Sequence, residues 1–445
     1  MNIIIAGAGE VGRHLAKMLS RENHDIVVLD TNEEVLNSLN SNHDLMTLSG
    51  SPTSIEKIKE AGASSADLFI AVTPEESQNL TACILATKLG AKKTVARIDN
   101  PEYLQEQHKA FFEQLGIDSL IYPEALAAKE IFNSIKRPWA RQWYEFCDGR
   151  MILIGVKVRT GAPILEKALS DIFVNENDFR IAVINRNGST IIPSGKDKLL
   201  PGDLVYFITL PEAIERIRKM SGKEDIHVHN VMILGGSRIA VKTTQLLPDS
   251  YKIKILEKDK GRSEWLTDKT DSGTMVILGD GRDMELLEAE GLDNMDAFIS
   301  LSGNAETNIL SCLAAKRHNV RRTIAEVENM DYIPLAENLD IGMIINKKLI
   351  AASHIYQMML DADVTNVKSL TFADAEVAEF KVAPDARITK RLVKDLKLPE
   401  NISLGGLVRN KKGMMIYGNT QIQENDHVVV FCPSSSIKHI EKFFN

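Results

Sequence analysis

Six residues near the start of the chain have types and spacing suited to holding a phosphate. Gly7-Ala8-Gly9-Glu10-Val11-Gly12 follows the apolar run Asn2–Ala6 and opens the helical pattern VGRHLAKMLS, and Asp30 ends the next apolar run 23 residues after Gly7. In such a strand–loop–helix, Gly7 permits the tight turn, Gly9 lets bare backbone approach a pyrophosphate, and Gly12 lets the helix lie close on the strand. The helix N-terminus offers unpaired N–H groups and partial positive charge to the phosphates. Asp30 would accept hydrogen bonds from ribose hydroxyls and repel a 2′-phosphate, so NAD(H) or another adenine nucleotide such as ATP/ADP is expected over NADP. The alternative is a glycine-rich turn that binds nothing.

A second constellation repeats the first in altered form. Gly235-Gly236-Ser237-Arg238-Ile239-Ala240 follows another apolar run, with Glu257 22 residues after Gly235. Ser237 puts a side chain where bare backbone should face phosphate, while Glu257 retains an acid for a ribose and Arg238 offers a compensating phosphate contact. Thr73-Pro74 follows a fourth apolar run, at the carboxyl edge where open α/β sheets hold ligands, and its counterpart is Ser302. Arg97, aligned with Glu326, suits a phosphate, an interdomain acid or an ordinary surface ion pair.

A reactive constellation is not evident beside these loops. Hydride-transfer enzymes add a substrate domain with an acid or base and an arginine, and the segments after each nucleotide-type region are only about 75 residues long. Asp203 and Asp426 recur in Pro-Gly-Asp and Glu-Asn-Asp, which is turn chemistry before it is catalysis. The ten histidines are scattered, and no HExxH, GxSxG or P-loop lysine motif occurs. The four cysteines, Cys83, Cys147, Cys312 and Cys432, form neither a CxxC pair nor a zinc spacing, so buried free thiols and no metal site are expected. The pattern reads as a sensor and not an enzyme; an NAD-dependent oxidoreductase of a small substrate is the alternative.

Elements that position these loops emerge from an internal repeat. Gly50, Asp67, Asn79, Cys83 and Tyr103 match Gly279, Asp296, Asn308, Cys312 and Tyr332, each 229 residues later, and Asp203 matches Asp426 at an offset of 223. In a chain of 445 residues this is a duplication of two domain types in the order N, C, N, C. The N units alternate short apolar runs with helical periods, the pattern of a parallel sheet, and the C units suggest hairpins around Asn187-Gly188 and Pro201-Gly202 with a closing helix. The expected fold is α/β, two Rossmann-like doubly wound sheets each followed by a small α+β module. The expected divisions are 1–122, a connecting helix 123–145, 146–225, then 228–345, a second connecting helix 346–362, and 363–445. Lys136, Arg137, Trp139, Arg141 and Trp143 form either a membrane-surface patch or a linker packed on the next domain. A net charge of −8 lacks the basic footprint of a nucleic-acid binder, no apolar run is long enough to span a bilayer, and the apolar start lacks an export signal, so a cytoplasmic protein is expected.

The opening MNIIIAGAGEVGRHLAKMLSRENHDIVVLD, the crossover AVTPEESQNLTACILATKLGAKKTVARI and the segment GDLVYFI resemble the RCK (KTN) nucleotide-binding domain and its C-terminal module. The doubled layout resembles the tandem-RCK regulatory subunits of bacterial potassium uptake. That resemblance implies a homo-oligomeric ring on the cytoplasmic face of a membrane potassium-translocating subunit of the Trk type, gated by NAD(H) or ATP/ADP. It places Gly7, Gly9, Glu10, Val11, Gly12, Asp30, Thr73, Pro74 and Arg97 at the first cofactor site, and Gly235, Gly236, Ser237, Arg238, Ile239 and Glu257 at the second. Where many members carry Gly-Asp after the third strand, with the Asp near adenine, the second copy has Gly279-Asp280 and the first has Gly50-Ser51.

Overall fold

Runs such as NIIIA and LFIA are too apolar for a sheet with one wet face, and parallel strands covered by helices are what such runs build. The computed structural model describes residues 1–20, 24–40, 45–172, 177–359, 364–370, 375–399, 402–433, 436 and 440–445. Two units result, one of Met1–Ala127 with Asn346–Met359 and the other of Ala128–Ile345 with Leu360–Asn445.

In the first unit β1 (Asn2–Ala6), β2 (Asp25–Asp30), β3 (Met46–Ser49), β4 (Leu68–Ala71), β5 (Thr94–Arg97) and β6 (Ser119–Ile121) form a parallel sheet in the order β3-β2-β1-β4-β5-β6. Consecutive connections run outward on opposite sides of β1, so a crevice opens between the carboxyl ends of β1 and β4. Ile3, Ile4, Ile5, Phe69 and Ile70 are buried. The helix Glu10–Leu19 buries Val11, Gly12, Leu15, Ala16 and Leu19, a stripe at three- and four-residue spacing. Its neighbour is the crossover helix Lys347–Met359 from the other half of the sequence, which buries Ala351, Ala352, Ile355 and Tyr356.

The second unit begins with an antiparallel module. Its strands β7 (Gln142–Phe146), β8 (Met151–Lys157), β9 (Phe179–Arg186), β10 (Ser189–Ile191) and β11 (Leu204–Thr209) are ordered β10-β9-β11-β8-β7. Asn187 and Gly188 turn the β9–β10 hairpin with φ of 52° and 82°, the two positive values that a two-residue hairpin turn requires. Pro201-Gly202 departs from expectation. It does not join paired neighbours: β11 enters between β8 and β9, because the Gly202 N–H and Asp203 carbonyl bond the backbone of Val158 at the end of β8.

Next come β12 (Asn230–Leu234), β13 (Lys252–Glu257), β14 (Thr274–Leu278), β15 (Ala297–Ser300), β16 (Arg322–Glu326) and β17 (Met343–Ile345), parallel and ordered β14-β13-β12-β15-β16-β17 as in the first copy. The last strands, β18 (Val364–Ser369), β19 (Glu376–Lys381), β20 (Ser403–Arg409), β21 (Lys412–Met415) and β22 (His427–Cys432), are ordered β18-β19-β22-β20-β21, the topology of the first module read from its other edge. The two modules share one core. Phe146, Met151, Leu153, Tyr206 and Ile208 of the first cluster with Val377, Val408, Val429 and Phe431 of the second.

The first crossover helix, Pro123–Lys136, sends its C-terminal end to the second nucleotide-type domain. There Arg322 is wholly buried, with its guanidinium on the Ser134 hydroxyl and the Pro138 carbonyl. The tryptophans beyond this helix are packing groups. Trp143 is buried, Trp139 meets it edge-on, and the Arg137 guanidinium lies 3.9 Å from the Trp143 ring centre.

Candidate functional site

In the first copy, β1 delivers Gly7 to the crevice with φ of 111°, and a Cβ there would lie 2.8 Å from the Thr73 nitrogen. Only glycine lets the loop and the end of β4 come this close. Gly9 caps the helix Glu10–Leu19 with no side-chain hydrogen bond, and a Cβ on it would meet nothing within 4 Å. The first-turn N–H groups are therefore open to an anion over bare backbone, which is the cradle a pyrophosphate requires. Gly12 faces the other way, with no space for a Cβ against the Gly7 carbonyl.

Asp30 ends β2 and holds the loop from the side. Its Oδ2 accepts the Ala8 N–H at 2.5 Å and its Oδ1 the Asn32 N–H at 2.8 Å. A carboxylate has lone pairs for both these bonds and ribose hydroxyls. Glu10 points elsewhere: its carboxylate pairs with the ammonium of Lys348, a residue of Lys347–Met359 whose side chain is 10% exposed and whose pKa burial pushes below the ordinary value. Val11 is in the helix's buried stripe, whereas Ser51 and Pro74 are exposed at the ends of β3 and β4. Arg97 lies at the end of β5, 3.6 Å from Asp99, with a buried Nε that has no hydrogen-bond partner.

Thr73 is occupied by structure. Its N–H and hydroxyl both meet the Asn79 Oδ1, at 2.9 and 2.8 Å, and the Asn79 amide donates to the carbonyls of Thr73 and Arg97, both at 3.0 Å. The second copy repeats this clamp with Asn308, Ser302 and the carbonyl of Glu326. The clamp fixes the β4 edge of the crevice against β5, and its sequence signal was the Asn79/Asn308 repeat.

The second copy keeps the geometry and closes the helix. Glu257 accepts the Gly236 N–H at 2.8 Å and the Asp259 N–H at 2.9 Å, as Asp30 does in the first copy. Ser237 caps the helix Arg238–Leu246 by accepting the Ala240 N–H, so a first-turn donor that is free in the first copy is taken. A cleft of about 580 Å³ opens here, lined by Gly235, Gly236, Ser237, Glu257, Lys258, Arg262, Asp280 and Arg282 among others. Arg238 and Ile239 are not among its lining residues; Ile239 is buried under the helix. The cations at the cleft are Lys258, Arg262 and Arg282, which no spacing rule singled out. Arg262 donates to the Gly236 carbonyl at 2.7 Å and stacks on Trp265, and Arg282 pairs with Asp280 through two nitrogens, holding that carboxyl down to about 2.

Asp203 and Asp426 are buried, each paired through two nitrogens with an arginine, Arg186 and Arg409, and each accepting a backbone N–H from Leu200 or Gln423. They hold turns. All four cysteines are buried free thiols, as expected.

Comparison with known proteins places these features in context. The TrkA-N domain family matches residues 3–123 and 231–347, and the TrkA-C domain family matches 153–222 and 377–445. The Trk system potassium uptake protein TrkA of Haemophilus influenzae is 34% identical over all of this chain and 98% of its own length, and that of Vibrio alginolyticus is 32% identical over the same shares. A TrkA homolog of Archaeoglobus fulgidus is 29% identical over the whole of both chains. Among solved structures, the RCK domain of GsuK covers 100% of this chain and 94% of its own at a TM-score of 0.62 and 15% identity. The GsuK channel bound to NAD covers 100% and 78% at 0.62 and 16%. At such identities the likeness is one of fold.

Proposed function

Because the chain belongs to the TrkA family, with both domain types in tandem, we propose that it is the nucleotide-sensing regulatory subunit of a potassium uptake system. It works by binding, not by catalysis, in a homo-oligomeric ring seated on the cytoplasmic face of a membrane potassium-translocating subunit. Relatives matched over the full chain are named Trk potassium uptake proteins, and a channel of the same fold is described as bound to NAD, which supports this reading. Among the described residues no helix is long and apolar enough to cross a membrane, so the membrane step falls to the partner.

The observation that carries the nucleotide part is the uncapped N-terminus behind Gly9, open above bare backbone and flanked by Asp30 at the β1–β4 crevice. Gly7, Gly9, Val11 and Gly12 shape the phosphate cradle, Asp30 takes the ribose, and Ser51, Pro74 and Arg97 border the crevice. The ligand is NAD(H) or ATP/ADP. In the second half Glu257, Gly235, Gly236, Ser237 and Asp280 line a cleft together with the cations Arg262 and Lys258. A nucleotide changes transport only through unequal affinity for two ring states, and a coupling of about 1–3 kcal/mol is ordinary for such switches.

Calorimetry of the full-length protein with NAD, NADH, ATP and ADP tests the site. Wild type binds at least one of them; Asp30→Ala and Gly9→Glu lose the first-site event, while Glu257→Ala retains it. Equal binding by all variants would refute the assignment. Turnover of NADH with a carbonyl substrate would replace sensing with catalysis.

A further inference from the structure

The two antiparallel modules meet at a cluster that the nucleotide sites do not use. β7 ends at Phe146, and the turn Cys147-Asp148-Gly149, all at positive φ, presents Cys147 to the second module. Opposite it stand Glu379 of β19 and His427 of β22, strands paired in the second sheet. Glu379 accepts the Cys147 N–H on Oε2 at 2.8 Å, and its Oε1 lies 2.8 Å from the His427 Nδ1. One sulfur, one carboxylate oxygen and one ring nitrogen of these residues lie within 4.8 Å of one another. Cys147 and Glu379 are buried, and the His427 side chain is 34% exposed, leaving one side of the cluster open. Arg150 fixes the turn from behind by donating to the Cys147 carbonyl and the Asp148 carboxylate, both at 3.3 Å.

Among the described residues this is the one grouping of three such ligands. We propose that Cys147, Glu379 and His427 bind a divalent transition-metal ion, zinc first, with water as the fourth ligand on the open His427 side. A thiolate, a carboxylate and a neutral imidazole are the donor types zinc takes at about 2.0–2.3 Å, and ligands of a tetrahedral ion at those lengths stand about 3–4 Å apart. Two negative donors cancel the charge of the ion, so the metal-bound cluster is a neutral unit in the buried seam. On binding, the sulfur–metal bond replaces the S–H bond and the proton leaves to solvent. Since Cys147 belongs to one module and Glu379 and His427 to the other, the ion ties the two halves of the chain together.

The test uses nucleotide-free, chelator-treated full-length protein and zinc or cobalt(II) alone. Wild type should retain one equivalent of zinc per chain after gel filtration. Its cobalt(II) form should show the intense d–d and thiolate-to-metal charge-transfer bands of a tetrahedral site with sulfur. Cys147→Ser should remove the charge-transfer band and weaken zinc binding by about 100-fold or more, and His427→Ala should weaken it comparably. Both variants should keep wild-type nucleotide binding, which serves as the control for folding. X-ray absorption of wild-type zinc protein, needing no variant, should show one sulfur among the nearest neighbours. Zinc that washes off wild type, a spectrum with no sulfur ligand, or equal affinity in wild type and Cys147→Ser overturns the proposal.

Discussion

At the scale of single residues, the two loops differ by a serine that works as a plug. Ser237 satisfies an N–H that Gly9 leaves free. Serine to glycine at a helix cap costs only about a few tenths of a kcal/mol, so Ser237→Gly should leave the melting temperature within about a degree. It should tighten nucleotide binding at the second cleft about 5-fold or more, read by calorimetry in an Asp30→Ala background where the first site is silent. The Asn79 clamp predicts the opposite balance. Asn79→Ala strands the Thr73 N–H and two carbonyls in a buried place and should destabilise the protein by about 2–4 kcal/mol in urea unfolding. The geometry of the glycine loop and its acid was legible because it follows from backbone requirements at fixed spacing. The asparagine clamp appeared only as a repeat, because a buried amide is recognised by what surrounds it. Arg262 stayed invisible because a cation on a neighbouring helix joins the cleft only through folding.

At the scale of elements, strands and nucleotide helices followed from apolar period, whereas the destinations of the crossover helices did not. Amphipathic patterning marks a helix face for burial without saying against what. The structure brings Lys347–Met359 to Glu10–Leu19, where Lys348 pairs with Glu10 at the edge of the first loop. Nucleotide binding at that loop should therefore alter hydrogen exchange in 347–359, and Lys348→Met should abolish that response while changing affinity by less than about 10-fold. Unchanged exchange in 347–359 on saturation would refute the link. In the second unit the turn after Tyr332–Asn338 carries Asp340, which meets Arg141, Arg159, Lys157 and Lys316. Burial alone would raise the Asp340 pKa, but these cations, Arg141 foremost, hold it down to about 2 from an ordinary 3.8. A depressed carboxyl stabilises the fold above the unfolded value and ceases to do so as pH falls from about 4 through about 2. Asp340→Asn should lower stability by about 2 kcal/mol at neutral pH and flatten the acid limb of a urea stability profile between those values.

At the scale of the molecule, the duplication was legible and the sharing of parts between its halves was not. A repeat fixes how many domains of each type there are, but two half-chains that each close on themselves would give the same repeat. Here each half lacks something the other supplies: the helix over Glu10–Leu19 and the second face of the module core. A fragment of residues 1–225 should expose apolar surface, bind a hydrophobic dye and self-associate in light scattering. Co-expression with 226–445 should restore soluble material with the wild-type melting profile. A monomeric fragment that melts like the intact chain would overturn this view. The same arrangement sets a schedule for synthesis. The first nucleotide domain leaves the ribosome early, yet the helix that covers it ends at residue 359. At roughly 5–20 residues per second, its apolar flank stays bare for on the order of ten to fifty seconds in every round of translation, a window in which a chaperone must guard it or the nascent chain is at risk.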